Sequence, residues 1–107
     1  MAITLTKSLA ESVGTTAVDV YTVPSGTESH IVSCRLANTT GSIVPASVYV
    51  ESGGDTVYIV KNKRIDNGQS VNVIEDGKII LSAGDVLYVQ AATASAVDCI
   101  VSVMESA

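Results

Sequence analysis

The chain has 107 residues, with 6 Lys and Arg against 11 Asp and Glu, and so a formal charge of −5. This length reads as one domain over residues 1–107, and the acidic balance makes a poor nucleic-acid binder, because neutralising phosphates takes clustered Lys and Arg. Apolar residues reach 47% and charged ones only 16%, against about 25% charged in an average globular domain, which excludes a disordered chain and leaves an apolar surplus for a partner.

Val, Ile and Thr dominate the composition, and no useful stretch follows the 3.6-residue period of a helix, so the elements read as strands. The first runs over about 2–9, with Ile3, Leu5 and Leu9 as its apolar points, and a loop over 10–16 follows. A second strand covers about 17–23 and ends at the turn Pro24-Ser25-Gly26. In the third, about 29–37, alternation places His30, Val32, Cys34 and Leu36 on one face and Ser29, Ile31, Ser33 and Arg35 on the other.

Two hairpins are expected next. Strands over 47–52 and 55–60 flank Gly53-Gly54, a pair suited to the primed two-residue turns of hairpins. That turn sets Val50 against Val57, Tyr49 against Tyr58 and Val48 against Ile59. Val48, Val50, Val57 and Ile59 then share the core face, with the tyrosines paired on the outer one. The basic cluster Lys61, Lys63 and Arg64 leaves this hairpin toward a loop at Asp66-Asn67-Gly68. The second hairpin joins 70–75 to 78–82 through Asp76-Gly77, with Glu75 opposite Lys78. Both its faces are apolar, Ile74, Ile79 and Leu81 on one and Val71, Val73 and Ile80 on the other, so one is expected at a subunit contact. Strands over 85–91 and 97–104 close the chain, the last with Val97, Cys99, Val101 and Val103 on one face. About nine short strands make a compact antiparallel β-sandwich, all-β, with a jelly-roll arrangement open to it.

Chemistry-bearing residues are sparse. A single histidine, His30, excludes His-pair zinc sites and the HExxH motif. The acids Asp55, Asp66, Glu75, Asp76 and Asp85 fall mostly at turns without calcium-loop spacing, so no metal and no cofactor is expected. Cys34 and Cys99 read as buried free thiols, a disulfide requiring their strands to be neighbours. A Cys34–His30 catalytic pair has no third group to complete it. Asn38-Thr39-Thr40 fits the glycosylation pattern but reads as a turn. The apolar runs, such as 57–60, fall far short of the ~20 residues that span a bilayer, and no basic stretch followed by an apolar core opens the sequence, so neither membrane insertion nor export is expected. The interface candidates are Tyr49 and Tyr58, with the Lys61, Lys63 and Arg64 rim.

Two passages carry a resemblance. Tyr21-Thr22-Val23-Pro24-Ser25-Gly26-Thr27 with Asn38-Thr39-Thr40-Gly41, and the run from Gly77 to Ala91, resemble small β-sandwich virion proteins of tailed bacteriophages. That group includes capsid decoration (cement) proteins and small tail or fibre components, and the likeness spans roughly 17–104. It implies a non-enzymatic structural protein in the virion, assembled in the host cytoplasm and bound to the major capsid protein or other virion proteins. A homo-oligomer, three copies by preference, goes with it, and capsid decoration is the expected role. A tail or neck component, or a carbohydrate- or receptor-binding module, is the alternative.

Overall fold

β-Branched residues at alternate positions stiffen the chain in extended form, and the computed structural model, which describes residues 3–74 and 79–106, consists of strands without a helix among them. In chain order they are β1 (Ile3–Val13), β2 (Val18–Thr22), β3 (Glu28–Asn38), β4 (Val44–Ser52), β5 (Asp55–Ile65), β6 (Ser70–Asn72), β7 (Ile79–Leu81), β8 (Val86–Ala91) and β9 (Val97–Ser106). One sheet has the order β1-β9-β3, with β6 and β7 both on the far side of β3, and the other runs β2-β8-β4-β5. Every pairing is antiparallel.

β6 and β7 meet β3 at successive places, Leu36 opposite Val71 and His30 opposite Ile80. They are two halves of one interrupted strand. Counted so, the strands pair from the ends of the chain inward, first with last, second with next to last, third with the β6–β7 unit, and β4 with β5. This is the rolled-up connectivity of a jelly roll, as the sequence allowed.

The pairing overturns the hairpin expected over 70–82. Asn72 lies opposite Arg35 and Leu81 opposite Ser29, rather than against each other. Docking on β3 puts Leu81 and Ile74 into the core, a gain that a free two-stranded ribbon lacks. Asn72 bridges the break, its Oδ1 accepting from the amides of Cys34 at 3.2 Å and Ile74 at 3.0 Å. The Asp76-Gly77 turn and the Glu75–Lys78 rung lie outside the described residues.

Extra residues in the strands produce the other departures. A register shift between Ile31 and Ser33 makes Val32 supernumerary, so Ser29 and Ile31 join Cys34 and Leu36 inside while His30 turns outward. The Gly53-Gly54 turn forms, both residues having positive φ, and Tyr49 faces Tyr58 as expected, but Val48 faces Val60 because Ile59 is inserted. Val48 is buried and Val57 exposed, since β5 lies at the edge, where the opposite sheet does not cover it. β5 also runs on past Val60 to Ile65, so Lys61, Lys63 and Arg64 are strand residues and the loop at Asp66 follows directly.

Valines from both sheets fill the interior, including Val48 and Val89 from one and Val97, Val101 and Val103 from the other, with Ile31, Leu36, Ile65 and Leu87 as the largest fully buried side chains. Tyr21 ties the sheets together, its hydroxyl lying 2.6 Å from Ser29 Oγ and donating to Glu105 Oε2 at 2.5 Å. Burial and the Glu105 carboxylate push this phenol up to about 12.

Candidate interaction surfaces

Side chains alternate across a strand, so burying Val48, Leu87 and Val89 sends their neighbours outward. Tyr49 on β4 sits in register with Tyr58 on β5 and with Tyr88 on β8. The three rings form a ladder, Tyr49 to Tyr58 with centroids 5.1 Å apart and tilted at 45°, and Tyr49 to Tyr88 at 5.1 Å and stacked at 16°. Such pairs add stability beyond the area they bury, by ~0.5–1.5 kcal/mol each. Burial and the Glu51 carboxylate hold the Tyr49 phenol above its ordinary value, so it stays a neutral donor.

Lys61 joins the ladder because of the Ile59 insertion. Three residues beyond Tyr58 it would otherwise lie on the opposite face; with the extra residue its Nζ stands 5.0 Å over the Tyr58 ring. A second extra residue follows, Lys61 and Asn62 together opposing Ser47. Asn62 takes the left-handed conformation, φ 55°, and its amide donates to Ser47 Oγ at 2.9 Å. Arg64 opposes Pro45 on the ladder side, four β4 positions from Tyr49, or about 13 Å along the strand. Lys63 opposes Ala46, whose side chain is buried, and so belongs to the other face. The expected site is thus brought together in part: Tyr49, Tyr58 and Lys61 are contiguous, Arg64 is at a distance and Lys63 points away. Tyr88 was missed, because the contact of β8 with β4 is long-range and no local pattern encodes it.

The outer face of the five-stranded sheet was missed as well. Ile3, Leu5 and Leu9 alternate with polar residues, a pattern that reads as an apolar face turned to the core. They point the other way. Leu5 opposes Met104 and Leu9 opposes Ile100, both on the outer face of β9, since Cys99, Val101 and Val103 fill the interior. The row from Leu5 continues through Met104 and His30 to Ile80. Leu5 is 78%, Ile3 65%, Leu9 64% and Ile80 61% exposed. Open depressions of about 530 Å³ and 280 Å³ lie on this side, the first lined by Leu9, Glu11, Asp98 and Ile100 among others, the second by Ile3, Glu28, His30 and Met104 among others.

The remaining candidates serve the fold. Cys34 and Cys99 are buried free thiols on adjacent strands, their sulfurs 3.9 Å apart. The contact with Cys34, together with burial, drives the Cys99 thiol upward and keeps it protonated. His30 lies on the opposite side of β3 from Cys34 and hydrogen-bonds Glu28 at 3.2 Å. The Asn38 side chain is buried, donating to the carbonyls of Ser42 and Ile65 at 2.7 and 2.9 Å and accepting from Thr40, so it organises the loop and is withdrawn from a glycan. Asp85 Oδ2 accepts from the Ser82 amide within its turn. Among the described residues no three His, Cys, Asp or Glu side chains gather to hold a metal ion, and no helix is long and apolar enough to cross a membrane.

No family model and no curated protein matches the sequence. Among solved structures the chain is similar to a protein from work on Bacillus endospore appendages, described there as a novel family of disulfide-linked pili. The TM-score is 0.55 at 15% identity, over 96% of this chain and 86% of that one. At that identity the likeness concerns the fold.

Proposed function

We propose that this chain is a non-enzymatic structural subunit that fastens to a larger protein assembly through its tyrosine ladder. The setting implied by the sequence resemblance is a bacteriophage virion, with capsid decoration as the role and the major capsid protein as the partner. The observation that carries the reading is the Tyr58–Tyr49–Tyr88 row with Lys61 above it. Tyrosine buries much area for little lost side-chain freedom, and ring stacking has already restricted these side chains before a partner arrives. The row lies on a hydrogen-bonded sheet, so the surface is presented as a rigid plate rather than a cleft.

The fold likeness favours a second setting, a surface fibre. Linkage of copies by disulfides, as in the appendage proteins, is not open to this chain as folded, because Cys34 and Cys99 are inside the sandwich. Immunogold labelling of particles released from a producing culture tests the proposal. Label on phage heads supports the decoration role, and label on tails or fibres keeps the structural role while moving its place. Label confined to the soluble fraction overturns it. On particles that carry the protein, Tyr49→Ser with Tyr58→Ser should lower occupancy while the chain stays folded.

A further inference from the structure

An edge strand presents unpaired N–H and C=O groups, and proteins protect such edges with short strands, inserted residues, charges or breaks. Among the described residues two sheets leave four edges. β2 has only five residues, with a register shift between Asp19 and Tyr21. The β6–β7 edge is broken into two three-residue pieces. β5 is long, but it carries two inserted residues and the cations Lys61, Lys63 and Arg64. β1 has none of these protections along most of its length. It has eleven residues, and from Ile3 to Ala10 it pairs with β9 in unbroken register, with Lys7 as the one charge in that stretch and neither proline nor glycine. Among the described residues no strand pairs with its other edge, and its outward side chains include the apolar Ile3, Leu5 and Leu9.

We infer that β1 pairs with β1 of a second copy, antiparallel about a two-fold axis, so that the five-stranded sheet continues across the pair. Antiparallel pairing of identical edges is self-complementary, and it closes at two copies. The outward row of β1 reads Ile3, Leu5, Lys7, Leu9, Glu11. Its two charges are opposite and two positions either side of Leu9. With the axis at Leu9, Lys7 of each copy lies opposite Glu11 of the other, and the two strands pair over residues 7–11, up to the register shift that ends the regular part of β1. An axis at Lys7 would set the two lysines directly against each other, which is destabilising. Pairing at Leu9 also brings the Leu9 side chains of both copies together on the outward face and uses the N–H and C=O groups that the edge leaves free over residues 7–11. This gives two copies, not the three that the sequence resemblance implies. It does not depend on which larger assembly the tyrosine ladder meets.

Light scattering on the purified chain at tens of micromolar should report twice the 11.0 kDa chain mass. The variant carrying Leu5→Lys and Leu9→Lys should fall to the single-chain mass with an unchanged circular dichroism spectrum, since both side chains are mostly exposed, and its unfolding midpoint should no longer depend on protein concentration. Leu9→Cys should give a disulfide-linked dimer on a non-reducing gel after treatment with a diazene-dicarboxamide oxidant. The two thiols lose two protons and two electrons, and the oxidant is reduced to the hydrazine. Lys63→Cys, treated alike, should stay a single chain. A single-chain mass for the natural protein, a threefold mass, an open filament, or cross-linking at position 63 but not at 9 each overturns the inference. Label on particles together with a single-chain mass would retain the proposed function and remove this pairing.

Discussion

β1 and β5 are both eleven-residue edge strands, one on each sheet, and both expose most of their side chains. They differ in regularity and in charge. β5 takes an extra residue at Ile59 and another at Lys61–Asn62, and it carries three cations in four positions. Each insertion twists the strand and interrupts the even row of donors and acceptors on its free side. β1 keeps its register from Ile3 to Ala10 and breaks only afterwards, before Val13. An edge is therefore available for pairing through regularity and side-chain chemistry, not through length. The same insertions that protect β5 also build its surface, because they bring Lys61 over Tyr58.

The largest effects should separate the leucines of β1 from those of the core. Leu36→Ala on β3 and Leu87→Ala on β8 remove fully buried side chains, and each should destabilise by ~2–5 kcal/mol in urea unfolding. Leu5→Ala on β1 should stay within about 0.5 kcal/mol in the single chain, as surface changes do. A large loss there would mean that the outward face of β1 is packed within one copy, and the comparison of the edges would fail.

Next comes the tie beneath β1. Glu105 on β9 opposes Thr4 of β1 and accepts from Tyr21 of the other sheet. Tyr21→Phe should cost ~1–3 kcal/mol, since it strands the buried Ser29 hydroxyl and a carboxylate. It should also change the response to alkali. The folded phenol titrates at about 12 against 10.0 for the free group. Its contribution is complete below pH 10 and is lost as pH rises from there through about 12. Unfolding midpoints taken across that window should fall more steeply for the natural chain than for Tyr21→Phe.

A smaller effect is expected at the second β5 insertion. Asn62 holds φ 55°, which a β-branched side chain resists, so Asn62→Val should destabilise by roughly 1–2 kcal/mol. Asn62→Gly should leave stability within about 0.5 kcal/mol, because glycine accepts this conformation freely. Equal losses from the two variants would show that the side chain of Asn62, rather than its backbone, is what β5 needs. The smallest effect should come from Lys61→Ala, about 0.5 kcal/mol for a cation over an exposed ring, measured by the same unfolding curves in low salt.

Much of the sandwich was legible in the residues. Alternating Val, Ile and Thr set the all-β class, the Gly53-Gly54 turn set Tyr49 against Tyr58, and the alternation from Val97 to Val103 marked the inner face of β9. These are properties of one strand or one tight turn, fixed by the two-residue period of an extended chain and by the φ that only glycine adopts readily. Of the candidate surface, the Tyr49–Tyr58 pair was visible this way, and Tyr88 and the placing of Lys61 were not.

Tertiary structure decided whatever depends on a neighbour distant in sequence. One supernumerary residue reverses every side chain beyond it, and Val32, Ile59 and Asn62 look like any other strand residues until the partner strand is known. The segments 70–72 and 79–81 carry good hairpin signals, yet the open side of β3 offered them a buried face that their own pairing did not. Ile3, Leu5 and Leu9 alternate as an inward face should, but β9 fills the interior with its own valines and fixes by its register which way β1 faces. Local sequence determines that a strand has two faces; the strand it pairs with determines which one meets water.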